Sequence, residues 1–348
     1  MSQIKAEIVG DAISQNGNRI TSFLLTYPRI IHSELMTHRV FSRNSASSRA
    51  IPFDKMVEAV ENNPFIPMAW QKDHKGMQGT EYITDPKAIE RLETEWKTAA
   101  LNMVKQAQRL NSGIVCRETW EEDFKEKYGV TKQLCNRLLE PFMWHTTLVT
   151  STTYSNFFEL RCPAYQTPVT QLLLPAKSKK ECIANHGNEE NIEKLQNFSD
   201  LEWLKINQGQ GEIHIMALAE AMYDAYNESV PKLLVGNQWY LPFEDKLGNL
   251  DNGELAKFAH ITNKKSNLST IDTAVRVVTA MCARTSYTVV GEDKVHSYDK
   301  DLKLHDRLLE SRHWSPFEHC AMNMEDSNPY GNFTGWKQYR QFIENGEL

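Results

Sequence analysis

The sequence predicts an α+β fold, with several helices packed around a small, mainly antiparallel sheet. Two observations carry this. Helical periodicity recurs along most of the chain, and two apolar or alternating segments joined by a turn open it. A third observation is negative. No G-x-G-x-x-G follows a strand and no G-x-x-x-x-G-K-[ST] occurs, so the doubly wound and P-loop nucleotide folds lack their fingerprints. No G-x-S-x-G nucleophile elbow is present either.

Residues 4–9 and 19–27 form the opening pair, and Gln15-Asn16-Gly17-Asn18 between them reads as a hairpin turn. Pro28 opens a helix over Ile30 to Val40, since proline suits a first helical turn. A Ser-rich polar stretch follows, Ser42 to Arg49. Pro52, Pro64, Pro67 and Gly76 to Gly79 mark a long irregular segment. Ile89, Leu92, Trp96, Ala99, Met103 and Ala107 share one face of a helix over Ala88 to Leu110. Trp120 to Tyr128 continues helical. Thr131 caps a further helix from Lys132 to about Thr150, with Leu134, Leu138 and Phe142 on one side. Residues 163–207 are polar and mixed and read as an insertion. Glu212 to Tyr226 is a strong amphipathic helix, 235–270 is loop-rich, and Ile271 to Ala283 and Asp301 to Arg312 are helical. The tail, Gly331 to Leu348, carries an aromatic and basic cluster.

The 348 residues suit one domain, 1–348, with its insertion at 163–207. Hydrophobic residues at 41% and charged residues at 24% are ordinary for a globular chain. A net charge of −6 argues against a nucleic-acid polymer as partner, but local Arg clusters leave a small anion open. The six cysteines form no C-x-x-C pair, which disfavours zinc ribbons and redox motifs and fits free thiols in a reducing cytoplasm. The N-terminus lacks an apolar signal region, and no apolar run reaches the roughly 18 residues of a membrane span.

Three clusters could carry chemistry. Thr37 to Arg49 holds one His, three Arg, one Asn and four Ser. Arg forks, hydroxyls and free backbone N–H groups are what a phosphate needs, although a solvated loop with a helix cap has the same composition. Arg312-His313-Trp314-Ser315-Pro316-Phe317-Glu318-His319 flanks an acid with two histidines. Its spacing fits neither H-E-x-x-H nor H-x-x-x-H, so no metal is expected there. Arg137 and Arg161 stand in apolar settings. Each calls for an anionic or carbonyl ligand, or else for an internal salt bridge with Glu140 or Glu159.

Taken together, these clusters resemble the flavin-dependent thymidylate synthases, whose signature is R-H-R-x(2)-S-x-N-x(2)-S-x-R-Y. In Thr37 to Ala50, the residues His38, Arg39, Ser42, Asn44, Ser47 and Arg49 fit. Thr37 and Ala50 replace the first Arg and the last Tyr, Glu34 stands for the family's Gln, and Ser45 stands where the family has Glu. Gly129-Val130 to Arg137 and Pro141 resembles the G-V…A-R-x-x-L-P helix, Asn156 to Arg161 the N-F-x-x-L-R motif, and Gln210 to Ile213 the A-Q-x-E-I start. The family's opening motifs, A-R-x-S-[YF] and H-x-[ST]-P-F-E-H, appear near the C-terminus as Ala283 to Tyr287 and His313 to His319. The order is therefore circularly permuted. Trp336 to Arg340 echoes R-Q-x-x-R. Gln338 and Arg340 either replace the groups lost at Glu34 and Thr37 or belong to a frayed C-terminal helix.

The resemblance implies a thymidylate synthase-like fold of that flavin-dependent type, and methylation of dUMP to dTMP using FAD, NADPH and methylenetetrahydrofolate. It implies Arg161 as the catalytic group polarising the base. Ser45, Ala46, Ser47, Arg49, Arg137, Arg161, Gln338 and Arg340 would hold the nucleotide monophosphate. His38, Arg39, Ser42, Asn44, Asn156, Ser286, His313, Ser315 and Glu318 would hold the flavin. It also implies a homotetramer. Alternatives are methylation or hydroxymethylation of another pyrimidine deoxynucleotide, or a non-catalytic nucleotide-binding relic. A cysteine-dependent synthase is disfavoured because no Cys here sits in a P-C-H context.

Overall fold

The structure is a computed structural model, and it describes residues 4–76, 79–114, 128–166, 174–186, 192–266, 269–287, 290 and 297–347. The helix expected over Trp120 to Tyr128 lies almost wholly outside these residues.

The opening segments form β1 (Lys5–Ser14) and β2 (Arg19–Pro28), antiparallel, with Gly17 at φ 80° in the turn. A short β3 (Ser42–Ser45), β4 (Trp144–Ser151) and β5 (Lys232–Leu234) complete a five-stranded sheet in the order β3-β4-β2-β1-β5. Every pairing in it is antiparallel except β1 with β5. The mixed helix-and-sheet class is as the sequence predicts.

Helices cover both faces of this sheet. Phe23, Leu25, Tyr27 and Val149 point to one side and pack on α1 (His32–Met36), α5 (Ser155–Arg161) and α9 (Ile213–Glu228). Val9, Leu24 and Leu148 point to the other side and meet α11 (Thr270–Arg284) and α12 (Tyr298–Glu310). Period-two alternation on β2 therefore supplies both cores. Beside the sheet, α2 (Phe53–Asn62), α3 (Pro86–Ser112) and α4 (Lys132–Leu139) share a third core around Val60, Val104 and Leu139.

The expected insertion holds α6 (Lys179–His186), α7 (Ile192–Gln196) and α8 (Asp200–Ile206) around a small core of Tyr165, Cys182, Leu195 and Trp203. Then come β6 (Trp239–Tyr240), α10 (Glu254–Ser266), β7 (Ala321–Asn323), β8 (Pro329–Tyr330), β9 (Phe333–Thr334), β10 (Trp336–Gln338) and α13 (Tyr339–Glu344).

Five expectations need correction. The helix from Lys132 does not reach Thr150. It stops at Leu139, a 3-10 turn containing Pro141 follows, and the stretch Thr146 to Thr150, β-branched at every position but Leu148, pairs within β4. Leu134, expected on its inner face, is exposed, and Cys135, Asn136 and Leu139 face inward instead. The segment after Pro52 is not irregular throughout, because Pro52 caps α2, whose Met56, Val57 and Val60 are buried. The stretch 235–270, expected as loops, contains α10. The helix after Pro28 also ends at Met36 rather than Val40. It is a 3-10 turn followed by α1, and Thr37 closes it by donating Oγ1–H to the Glu34 carbonyl at 2.7 Å.

Candidate functional site

Strand β3 organises the site. It pairs with β4 in the register Ser42↔Thr150, Arg43↔Val149, Asn44↔Leu148 and Ser45↔Thr147, so its side chains alternate between the two cores. Ser42 and Asn44 face the C-terminal segments and are buried. Asn44 Nδ2 donates to the Cys282 carbonyl at 2.6 Å, and its Oδ1 accepts from Ser286 Oγ and Ser315 Oγ, each at 3.2 Å. Ser42 Oγ accepts from Gln338 Nε2 at 2.8 Å and Asn332 Nδ2 at 3.1 Å. The Ser47 amide donates to the Ser286 carbonyl at 3.1 Å. The structure thus brings together sequence-predicted residues from 42–47, 286, 315 and 338.

The same polar atoms are largely used in holding these segments to one another. Gln338 is buried, and its Nε2 also lies 3.1 Å from the Glu318 carbonyl. Arg340 Nη1 pairs with Glu318 at 2.7 Å, and its guanidinium lies over the Trp314 ring. The tail is therefore an ordered helix with a capping box, and neither Gln338 nor Arg340 is frayed. His313 and Asn156 are exposed, whereas His319 is fully buried.

Arg161 ends α5 and reaches the signature segment. Its Nε donates to His38 Nε2 at 3.2 Å, its Nη2 to Thr37 Oγ1 at 3.4 Å, and its Nη1 lies 3.6 Å from Glu34. An arginine only donates, so His38 Nε2 is a bare acceptor and the ring is neutral, with its proton on Nδ1. Burial lowers the His38 pKa, and the Arg161 and Arg43 charges lower it further. Burial, with Glu212 nearby, raises that of Glu34, while Arg161 opposes the rise. Neither salt bridge open in the sequence is formed: Glu159 pairs with Lys177, and Glu140 lies 3.6 Å from Arg29.

A third arm is α4. Asn136 is buried, and its Nδ2 donates to the Ser48 carbonyl at 2.7 Å and the Ile51 carbonyl at 3.1 Å. Arg49 and Arg137, the next residues in each segment, flank this contact. Both are exposed, as is Arg39. The burial that the apolar neighbours of Arg137 led us to expect is absent. Among the described residues, none of these three guanidiniums has a carboxylate partner.

One polar cluster was missed from the sequence. Arg29 Nη1 lies 3.0 Å from His145 Nε2, and the His145 and His32 rings meet edge-to-face at 4.6 Å. Burial and the Arg29 and Arg43 charges hold His32 down at about 4. Burial also holds His145 well below the usual imidazole range, with Arg29 and His32 adding to it. Both rings are neutral at pH 7. Arg29, Glu140 and His145 line a cavity of about 20 Å³ with Ala46 and Ser48 of the signature loop. The residues stand 116 positions apart, so spacing could not reveal them; the one local hint was Arg29 and His32 following Pro28 on one helical turn.

A larger cavity, about 590 Å³, is lined by Phe65, Met68, Leu101, Trp144 and His214 among others, and by none of the sequence-predicted site residues. Among the described residues, no group of three or more His, Cys, Asp or Glu side chains could hold a metal ion, and no helix is long and apolar enough to cross a membrane.

Among solved structures, the chain is similar to a UMP/dUMP methylase PolB from Streptomyces cacaoi bound with 5-Br UMP. Identity is 15% over 66% of this chain and 90% of that one, with a TM-score of 0.39. A structure of the same methylase bound with 5-Br dUMP matches at 14% identity over 45% of this chain and 59% of that one, with a TM-score of 0.30. No protein-family model matches the chain, and no curated protein does.

Proposed function

We propose that this chain methylates a pyrimidine deoxynucleotide, with dUMP as the first candidate, as a flavin-dependent enzyme drawing on FAD, NADPH and methylenetetrahydrofolate. One observation carries the reading. The motif segments 37–49, 136–161 and 286–340 are joined by direct hydrogen bonds, while Arg39, Arg49 and Arg137 stay exposed and without acid partners among the described residues. Guanidiniums without carboxylates beside a Ser-rich loop suit a phosphate.

In this reading Arg49 and Arg137 hold the phosphate, with Ser45, Ala46 and Ser47 along the nucleotide. Arg161 is fixed by His38 and Thr37 and turns its remaining N–H groups to a base carbonyl, where it stabilises negative charge developing on the ring. Arg39, Asn156 and His313 offer a guanidinium, an amide and an imidazole, all exposed, a donor set that suits a flavin dinucleotide. Ser42, Asn44, Ser286, Ser315 and Glu318 brace that wall. A flavin bound there supplies hydride and takes part in carbon transfer. The same reading expects a cytoplasmic homotetramer.

Anaerobic absorption spectroscopy tests it. A bound flavin that NADPH reduces faster in the presence of dUMP supports the proposal. A flavin that reduces but ignores dUMP moves the substrate to another pyrimidine nucleotide, a reading favoured by Thr37 and Ser45 standing where the resembled family has Arg and Glu. A colourless chain that takes up no FAD leaves a nucleotide-binding relic.

A further inference from the structure

A line of four side chains ends at the nucleotide loop. Tyr27 Oη lies 2.7 Å from His32 Nδ1 and 2.7 Å from Thr147 Oγ1, and Thr147 Oγ1 donates to Ser45 Oγ at 3.1 Å. Counting protons fixes the direction of the whole line. Thr147 has one hydroxyl hydrogen and gives it to Ser45, so the hydrogen between Tyr27 and Thr147 comes from Tyr27. The Tyr27 hydrogen is then used, so the one between His32 and Tyr27 sits on His32 Nδ1. Every hydrogen points toward Ser45.

The surroundings keep it so. Tyr27 and Thr147 are fully buried, so no solvent competes for their protons. Arg29 donates to His145 Nε2, which makes His145 a neutral ring packed against His32. The half-buried Ser45 oxygen thus has one of its two lone pairs filled by Thr147, and among the described residues nothing accepts its hydrogen.

We propose that Ser45 is a specificity-determining residue, an aligned donor that selects a ligand presenting a hydrogen-bond acceptor, with Thr147, Tyr27 and His32 as its positioning residues. The acceptor is a ring carbonyl or a phosphate oxygen. The inference rests on the nucleotide reading of the 45–49 loop. A uracil carries a 4-carbonyl where a cytosine carries an amino group, so a donor aimed at that edge separates the two.

The test is calorimetric binding of dUMP, dCMP and deoxyuridine to the full chain and to the variants Ser45→Ala, Thr147→Val and Thr147→Ser. Ser45→Ala is expected to weaken dUMP binding about fivefold, the size of one neutral hydrogen bond. Thr147→Val keeps the Ser45 hydroxyl but frees it to rotate, and is expected to narrow the discrimination that Ser45→Ala removes. Thr147→Ser restores it. A narrowed dUMP-to-dCMP ratio identifies the carbonyl as the acceptor, and a narrowed dUMP-to-deoxyuridine ratio identifies the phosphate. Ser45→Ala and Thr147→Val chains that melt cooperatively and keep the wild-type affinity and both ratios overturn the inference alone. A wild-type chain that binds neither nucleotide overturns it together with the reading beneath it.

Discussion

Ser315 Oγ donates to Asn44 Oδ1 at 3.2 Å across 271 positions of sequence. The same oxygen accepts from Ser286 at 3.2 Å, and Asn44 Nδ2 donates to the Cys282 carbonyl at 2.6 Å. One buried amide therefore ties an N-terminal strand to the end of α11 and to the 315–318 turn.

Asn44→Ala strands a backbone carbonyl and two hydroxyls at once. A buried polar group without its partner costs about 1–3 kcal/mol. The expected loss is about 2–3 kcal/mol of unfolding free energy, read from the urea midpoint. A variant as stable as the wild type would mean that water reaches this junction.

Arg161→Ala is expected to lower turnover about 100-fold or more while nucleotide binding falls much less, because the group acts on charge that develops during reaction. Arg161→Lys keeps the charge but loses the fork that engages His38 and Thr37, and recovers little. Glu159→Gln serves as the control: Glu159 pairs with Lys177, so turnover is expected to hold. Single-turnover kinetics separate the three.

Arg284 Nε donates to Asp301 Oδ1 at 2.9 Å, and the Asp301 carboxylate is wholly buried. Asp301→Asn removes a buried carboxylate charge from beside the Arg284 guanidinium where α11 meets α12. A loss of about 3 kcal/mol is expected from thermal denaturation, and the effect should change little with added salt. A strongly salt-dependent loss would contradict the burial.

His319 gives a pH test. Its Nδ1 lies 2.8 Å from Thr150 Oγ1, its Nε2 has no partner among the described residues, and burial pushes its pKa down to about 3. The unfolded ring takes up a proton near pH 6.5 and the folded one does not. Its contribution is therefore lost as pH falls from about 6.5 toward 3, at up to about 1.4 kcal/mol per unit. Burial raises Glu34, Glu220 and Asp224, which act in the opposite direction, so the observable is the difference between the wild type and His319→Asn. Stability measured from pH 7 to 5 should fall more steeply in the wild type. Parallel curves would show that His319 is protonated or hydrated in the fold.

Local signals made part of this legible. Asn16-Gly17 marked the β1–β2 turn, and the helix read over Ala88 to Leu110 declared itself by periodicity alone and runs Pro86–Ser112. Strand β4 was read as helix because Leu134, Leu138 and Phe142 keep a helical interval through Pro141, while the strand residues beyond have no charged outer face to mark their alternation. All but one of its residues are buried, so polar Thr147 and Thr150 sit inside on side-chain hydrogen bonds, which hydropathy cannot anticipate. The site was legible as separate motifs, since each is contiguous. Their meeting at Asn44, and the Arg29–His145 contact, depend on strand register, which no single segment encodes.

The junction at Asn44 also sets an order of events during synthesis. Its hydroxyl donors are Ser286 and Ser315, and the neighbouring Ser42 waits for Gln338. On the ribosome, the N-terminal hairpin and β4 can pair while these donors are still untranslated. Strand β3 then forms one edge of the growing sheet with its inward Ser42 and Asn44 unmatched. Emergence of the segments that carry Ser286, Ser315 and Gln338, rather than emergence of the signature, is the moment at which that edge is sealed.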